Sequence, residues 1–173
     1  MIKLVIFDLD GTLLNTLNDL AESTNYALSQ QNFPTHPVED YKFFVGNGIN
    51  KLFERALPEG ENTAENMLRI RHDFLSYYRK HNTDYTTPYP GIPELLKQLQ
   101  LRNILPAVAS NKYQEATDKL VTHYFPQVSF VKILGQREGV APKPDPAVVN
   151  EILASVPVSR DEVLYVGDSG VDM

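Results

Sequence analysis

Asp8 and Asp10 stand two residues apart, directly after the apolar run at residues 2–7. In an extended chain, residues two apart point to the same side. Two carboxylates placed so repel each other and resist losing water unless a cation or a proton compensates them. Gly11 and Thr12 follow at once. A glycine allows close approach of the backbone, and free amides there can hold an anion. Further on, Ser110-Asn111-Lys112 follows a second apolar run, and a hydroxyl at a strand end can donate to a phosphate oxygen. Lys143 lies between prolines in Ala141-Pro142-Lys143-Pro144-Asp145-Pro146. The prolines restrict its backbone, and a compact ammonium is a good point charge for phosphate. Asp168 and Asp172 sit in Gly167-Asp168-Ser169-Gly170-Val171-Asp172, after a third apolar run. Singly, these are also ordinary turn acids, loop polars and an exposed loop lysine. Together they suit Mg²⁺, which takes few carboxylates and keeps waters. They point to metal-assisted phosphoryl transfer, in which a carboxylate can attack phosphorus.

Strands and helices must bring these groups together. Residues 2–7 are apolar and β-branched with little alternation, the pattern of a strand buried on both faces of a parallel sheet. Leu17, Leu20, Ala21, Thr24, Ala27 and Leu28 share one helical face across 16–31. A short helix is expected over 38–45, another from Ile49 to Leu57, and a longer one over 63–82. No strand is expected within 15–84. After Pro88-Tyr89-Pro90-Gly91 the pattern alternates. A helix is expected near 92–99, a strand at 105–109, a helix at 116–124 and a strand at 129–134. A helix at 146–154 and a strand at 163–166 follow. Strands alternating with helices imply βαβ units. The expected fold is therefore an α/β, Rossmann-like parallel sheet with an inserted all-helical cap. Residues 1–14 and 85–173 form the discontinuous core, and residues 15–84 form the insert. Sites in open α/β sheets lie beyond the carboxyl ends of the strands, so an insert leaving from that edge is placed to act as a lid.

Composition narrows the partners. The chain has 173 residues, 42% hydrophobic, with no cysteine and a net charge of −6. Disulfide scaffolds, thiol nucleophiles and cysteine-ligated metals are excluded. An acidic chain without a Lys/Arg run argues against nucleic acid and anionic membrane as partners. No segment approaches the ~20 apolar residues of a membrane span, so a cytoplasmic location is expected. The scattered histidines His36, His72, His81 and His123 have no paired metal spacing and are read as structural.

The quoted residues resemble a known family. Phe7-Asp8-Leu9-Asp10-Gly11-Thr12-Leu13 is similar to the first motif of the haloacid dehalogenase superfamily. Ser110, Lys143 in Lys-Pro-Asp-Pro, and the segment from Gly167 to Asp172 match its second, third and fourth motifs in order. Within the superfamily the chain looks most like phosphoglycolate phosphatases, through Val45-Gly46-Asn47-Gly48 and Leu52 to Leu57, and through Pro88 to Gly91. The resemblance implies Asp8 as nucleophile and Asp10 as the acid that protonates the leaving oxygen and later deprotonates water. It implies Mg²⁺ held by Asp8, the Asp10 backbone carbonyl and Asp168, with Asp172 in support. Ser110, Lys143 and the amides near Gly11 and Asn111 would bind the phosphoryl group of a small phosphorylated substrate. A sugar-phosphate mutase and a non-catalytic phosphate-binding module are the alternatives. Lys51 and Arg55, beyond Gly46 and Asn47, could reach a substrate carboxylate or simply line an exposed helix. Relatives continue past the fourth motif with another helix and strand. The resemblance thus implies that the C-terminal part of the core is missing and that the strand at 163–166 leaves an open edge.

Overall fold

The computed structural model describes residues 1–172; Met173, the last residue of the expected core, lies outside them. The chain divides into two compact units, one of residues 1–15 and 88–173, the other of residues 16–87. The strands are β1 (Leu4–Phe7), β2 (Leu14–Asn15), β3 (Thr87–Pro88), β4 (Leu105–Tyr113), β5 (Ile133–Gln136) and β6 (Val163–Val166). The longer helices are α1 (Leu17–Gln30), α2 (Tyr41–Phe44), α3 (Ile49–Ala56), α4 (Ala64–His81), α5 (Ile92–Leu101), α6 (Gln114–Tyr124) and α7 (Ala147–Ala154). The two-residue strands β2 and β3 lie where the chain passes between the units.

In the first unit β1, β4, β5 and β6 form a parallel sheet in the order β5-β4-β1-β6. All four residues of β1 are buried, which is why its sequence shows no polar alternation. Its side chains still divide by face. Val5 and Phe7 join Leu96 and Leu99 of α5 and Leu120 and Val121 of α6 in one core. Leu4 and Ile6 join Val148 and Ile152 of α7 in the other. Both faces are therefore covered, and the polar residues that follow β1 and β6 are left at the carboxyl edge.

Two expected boundaries are corrected. β4 continues through Ser110, Asn111 and Lys112 to Tyr113 rather than stopping at Ala109. Along that stretch its register to β5 shifts, from Ala109↔Leu134 to Tyr113↔Gln136. The strand expected at 129–134 begins only at Ile133. Backbone pairing with β4 starts slightly earlier, the Val131 N–H donating to Pro106 O and the Val108 N–H to Lys132 O, both at 2.9 Å, while Phe130 packs against one core and Val131 against the other.

In the second unit α1 packs along α4, and α3 packs on α4. Phe74 is the hub, edge-on to Phe53 at 5.2 Å and stacked on Tyr78 at 5.1 Å. Thr63 caps α4 by accepting from the Asn66 N–H. Buried Asp19 accepts from the Tyr85 and Thr86 N–H groups and from the Thr86 hydroxyl, which ties the end of this unit to α1. The Arg55 guanidinium donates to the carbonyls of Phe43 and Phe44 and to Asn47 Oδ1, and Lys51 pairs with Glu54. Arg55 thus fastens its own loop.

Candidate active site

The site is built at the carboxyl ends of β1, β4 and β6. The Asp8 N–H donates to Val166 O at 2.9 Å, so pairing with β6 persists one residue past β1. The Asp8 side chain then turns inward. It is buried, and its Oδ1 accepts from the Leu9 N–H at 2.7 Å. Leu9 O accepts from the N–H groups of Leu13 and Leu14, closing the following turn on itself.

Lys143 comes to Asp8 from the loop before α7. Its Nζ lies 3.0 Å from Asp8 Oδ1 and 2.7 Å from Asp172 Oδ1, and it donates to the Tyr165 hydroxyl at 3.1 Å. The Lys143–Pro144 peptide is cis. Asn111 holds the Lys143 backbone at both ends: the Lys143 N–H donates to Asn111 Oδ1 at 2.8 Å, and Asn111 Nδ2 donates to Lys143 O at 3.1 Å. Burial opposes the charge on Lys143, but Asp8, Tyr165 and Asp172 hold its pKa above the ordinary lysine range.

One carboxylate oxygen each from Asp8, Asp168 and Asp172 lies within 4.8 Å of the others. Burial pushes the Asp8 carboxyl up to about 6, Lys143 pulls it down in part, and Asp172 and Asp10 push it further up. Burial acts the same way on Asp172, yet the hydrogen bond from Lys143 and those from Ser169 hold it below the ordinary range. Ser169 donates both its N–H and its hydroxyl to Asp172 Oδ2. Two glycines make room for the acids. A Cβ on Gly11, whose φ is +87°, would lie 2.2 Å from Asp168 Oδ2. A Cβ on Gly167 would lie 2.3 Å from the Asp172 carboxyl carbon.

The structure redistributes some roles expected from sequence. The Gly11 N–H donates to Leu14 O at 2.9 Å, so it closes the turn rather than facing a phosphoryl group. What Gly11 supplies is space for Asp168. The Asn111 side chain holds Lys143. Ser110 is buried, and its Oγ accepts from the Lys112 N–H at 3.2 Å, an interaction that does not use the hydroxyl's own proton. Asp172, expected only in support, stands within the carboxylate trio, whereas the Asp10 carboxylate pairs with Lys112 instead. Thr12 donates to Asp168 Oδ1 at 3.1 Å.

The sequence gives no role to Tyr165, or to Lys112 beyond its place in Ser110-Asn111-Lys112. Tyr165 lies on β6, and its hydroxyl bonds Asp172 Oδ1 at 3.1 Å and Ala109 O at 3.3 Å. In the sequence it reads as one more apolar strand residue; its position two before Gly167 was the available signal. Tyr89 also belongs to the surroundings: burial, Asp168 and Asp10 raise its phenol pKa.

Three acids, of which Asp8 is buried, Asp172 half-buried and Asp168 exposed, against one buried lysine leave excess negative charge, and oxygen donors of this kind suit a hard divalent cation. Asp8, Asp168 and Asp172 therefore fit a metal site. Among the described residues no helix is long and apolar enough to cross a membrane.

A parallel sheet covered on both faces, with its acids gathered at the carboxyl edge, is the architecture of an α/β enzyme working at its strand ends. Sequence comparison makes that class specific. Residues 5–173 match the model of the haloacid dehalogenase-like hydrolase family, and the chain belongs to that family. It is 32% identical over 177 residues to the phosphoglycolate phosphatase of Mannheimia succiniciproducens, covering 99% of this chain and 79% of that protein. The phosphoglycolate phosphatase of Haemophilus influenzae strain 86-028NP matches with the same identity and coverage. The crystal structure of a predicted phosphoglycolate phosphatase from Haemophilus somnus 129PT superposes with a TM-score of 0.91 at 30% identity, covering 99% of this chain and 79% of that one. The chain is thus an enzyme of the hydrolase class, similar to phosphoglycolate phosphatases.

Proposed function

We propose that the chain is a Mg²⁺-dependent phosphatase of a small phosphate monoester, with 2-phosphoglycolate as the first candidate. The observation that carries this reading is the meeting of Asp8, Lys143, Asp168 and Asp172 at one sheet edge. The named relatives supply the candidate substrate.

Asp8 is the nucleophile. Its carboxylate oxygen attacks phosphorus as the ester P–O bond breaks, giving an aspartyl-phosphate and an alcohol. Asp10 gives its proton to the departing alkoxide and then takes one from water. That water attacks the phosphorus, the bond to Asp8 breaks, and inorganic phosphate leaves. Lys143 places a fixed positive charge beside Asp8, which lessens repulsion between the carboxylate and an anionic phosphoryl group and stabilises charge in the transition state. Ser110 orients the phosphoryl oxygens. Asp8, Asp168, Asp172 and the backbone carbonyl of Asp10 would hold Mg²⁺. When bound, the ion supplies electrophilic stabilisation of the transferring phosphoryl group. The second unit, residues 16–87, serves as the cap that selects the substrate.

The test is phosphate release from 2-phosphoglycolate and a panel of other phosphate esters, with Mg²⁺ and with EDTA. Mg²⁺-dependent release with 2-phosphoglycolate ranked first supports the reading. Release unaffected by EDTA, or isomerised sugar phosphate in place of free phosphate, overturns it.

A further inference from the structure

Lys112 is the site's second lysine, and the reading above gives it no task. Its side chain is 2% exposed, and its Nζ reaches both oxygens of Asp10, at 2.9 and 3.2 Å. An ammonium this deep is costly to bury without a partner. It is also aimed by the strand. β4 pairs with β1 up to Val108↔Phe7, and Lys112 and Asp10 come just past that point. Between Ala109 and Tyr113 the register to β5 slips: four steps along β4 match two along β5. Such an irregularity beside an active site re-aims side chains. The bent segment is fixed in place. The Lys112 N–H donates to Ser110 Oγ, and Thr117 Oγ1 donates to Lys112 O. On β5, Gly135 has no Cβ, which would otherwise lie 2.6 Å from Lys112 O.

The two lysines therefore divide the acids. Lys143 faces Asp8 and Asp172, and Lys112 faces Asp10. Asp10 follows Asp8 by two residues, yet its carboxylate stands outside the trio of Asp8, Asp168 and Asp172. We infer that Lys112 is a positioning residue: it holds the Asp10 carboxylate away from the three-carboxylate site, so that this carboxyl group serves proton transfer instead of joining the metal ligands, among which Asp10 is represented by its backbone carbonyl alone. The inference rests on the proton-transfer role proposed for Asp10. It gives the polar turn of β4 a specific duty in turnover.

The experiment compares Lys112→Met, Lys112→Arg and Asp10→Asn in the whole chain, by steady-state kinetics on the best ester of the panel and by calorimetric titration with Mg²⁺ alone. Misplacing a reacting group by about 1 Å costs on the order of 100-fold, so kcat of Lys112→Met should fall by roughly that factor while KM holds. Mg²⁺ should bind the same variant more tightly, because a released Asp10 carboxylate can join the site. Lys112→Arg keeps the charge and should recover most of the lost kcat. Asp10→Asn should abolish turnover; a fully active Asp10→Asn protein overturns the role of Asp10 and the inference together. With Asp10→Asn inactive, a Lys112→Met protein of unchanged kcat or unchanged Mg²⁺ affinity overturns the inference alone. Should Lys112→Met not fold, Lys112→Arg decides: a folded Lys112→Arg protein no more active than Asp10→Asn overturns the inference.

Discussion

Gly11→Ala tests how tightly the turn after β1 is built around Asp168. The added Cβ would lie 2.2 Å from Asp168 Oδ2 and 2.6 Å from its carboxyl carbon. Contact between carbon and oxygen needs roughly 3.2 Å or more, so the Asp168 carboxylate must retreat by about 1 Å. The backbone adds its own cost. At a φ of +87° a side chain is strained, by about 1–3 kcal/mol. For a chain of this size each kcal/mol lowers Tm by roughly 2–4 °C. The substitution should therefore leave a folded protein with Tm lower by about 2–12 °C. Its larger effect should be on chemistry: a displacement near 1 Å in a catalytic constellation costs on the order of 100-fold. The assay is Mg²⁺-dependent phosphate release, with thermal unfolding of the same samples. The expected result is kcat/KM down by about 100-fold and a higher Mg²⁺ concentration for half-maximal rate. A Gly11→Ala protein with unchanged rate and unchanged Mg²⁺ response would refute the claim that Gly11 makes room for Asp168.

Asn111→Ala removes both hydrogen bonds to the Lys143 backbone. Stability should fall by about 1–3 kcal/mol, seen as a lower urea midpoint, and turnover should fall with it. Tyr165→Phe removes only the hydroxyl that bonds Asp172 and Lys143; the fold should persist while the Mg²⁺ dissociation constant rises by about tenfold, measured by calorimetry. The Asp8 shift fixes a pH dependence for the protein in EDTA. Its folded pKa of about 6 lies above the unfolded 3.8, so the folded state holds the extra proton between those values. Stability should therefore fall as pH rises from about 4 to about 6, by at most roughly 3 kcal/mol, and a Tm that climbs over that window would contradict it. Phe74→Ala should cost about 3–5 kcal/mol in chemical denaturation, because Phe74 is fully buried against Phe53 and Tyr78.

Apolar pattern was legible wherever burial alone decides the residue type. β1 reads as a strand buried on both faces and is one. β6 falls at Val163–Val166, where the sequence placed it. The helical stripes of α1 and α4 are found within a residue or two of their expected ends. Pattern failed where polar residues are buried by long-range partners. Ser110, Asn111 and Lys112 read as a loop because nothing local shows that Asn111 will meet the Lys143 backbone or that Lys112 will meet Asp10. Phe130 misleads in the opposite sense, being apolar for packing just ahead of the backbone pairing that begins at Val131. In the site, the residue types were visible and their division was not. Spacing puts Asp8 and Asp10 together, yet the fold gives each its own lysine. The part of Gly11 is likewise hidden, since its neighbour Asp168 is far away in sequence.

The central claim is that the Asp8 carboxylate becomes phosphorylated during turnover. Its most direct test is to quench the enzyme in acid during turnover of its best ester, reduce the acyl-phosphate with borohydride, which expels phosphate and turns the aspartyl residue into homoserine, and locate the homoserine by mass spectrometry, beside Asp8→Asn. The account expects the acyl-phosphate on Asp8, no trapped species in Asp8→Asn, and no phosphate release by that variant although it folds. Phosphate release by folded Asp8→Asn at the wild-type rate, or a reduced residue found at another aspartate, would contradict it.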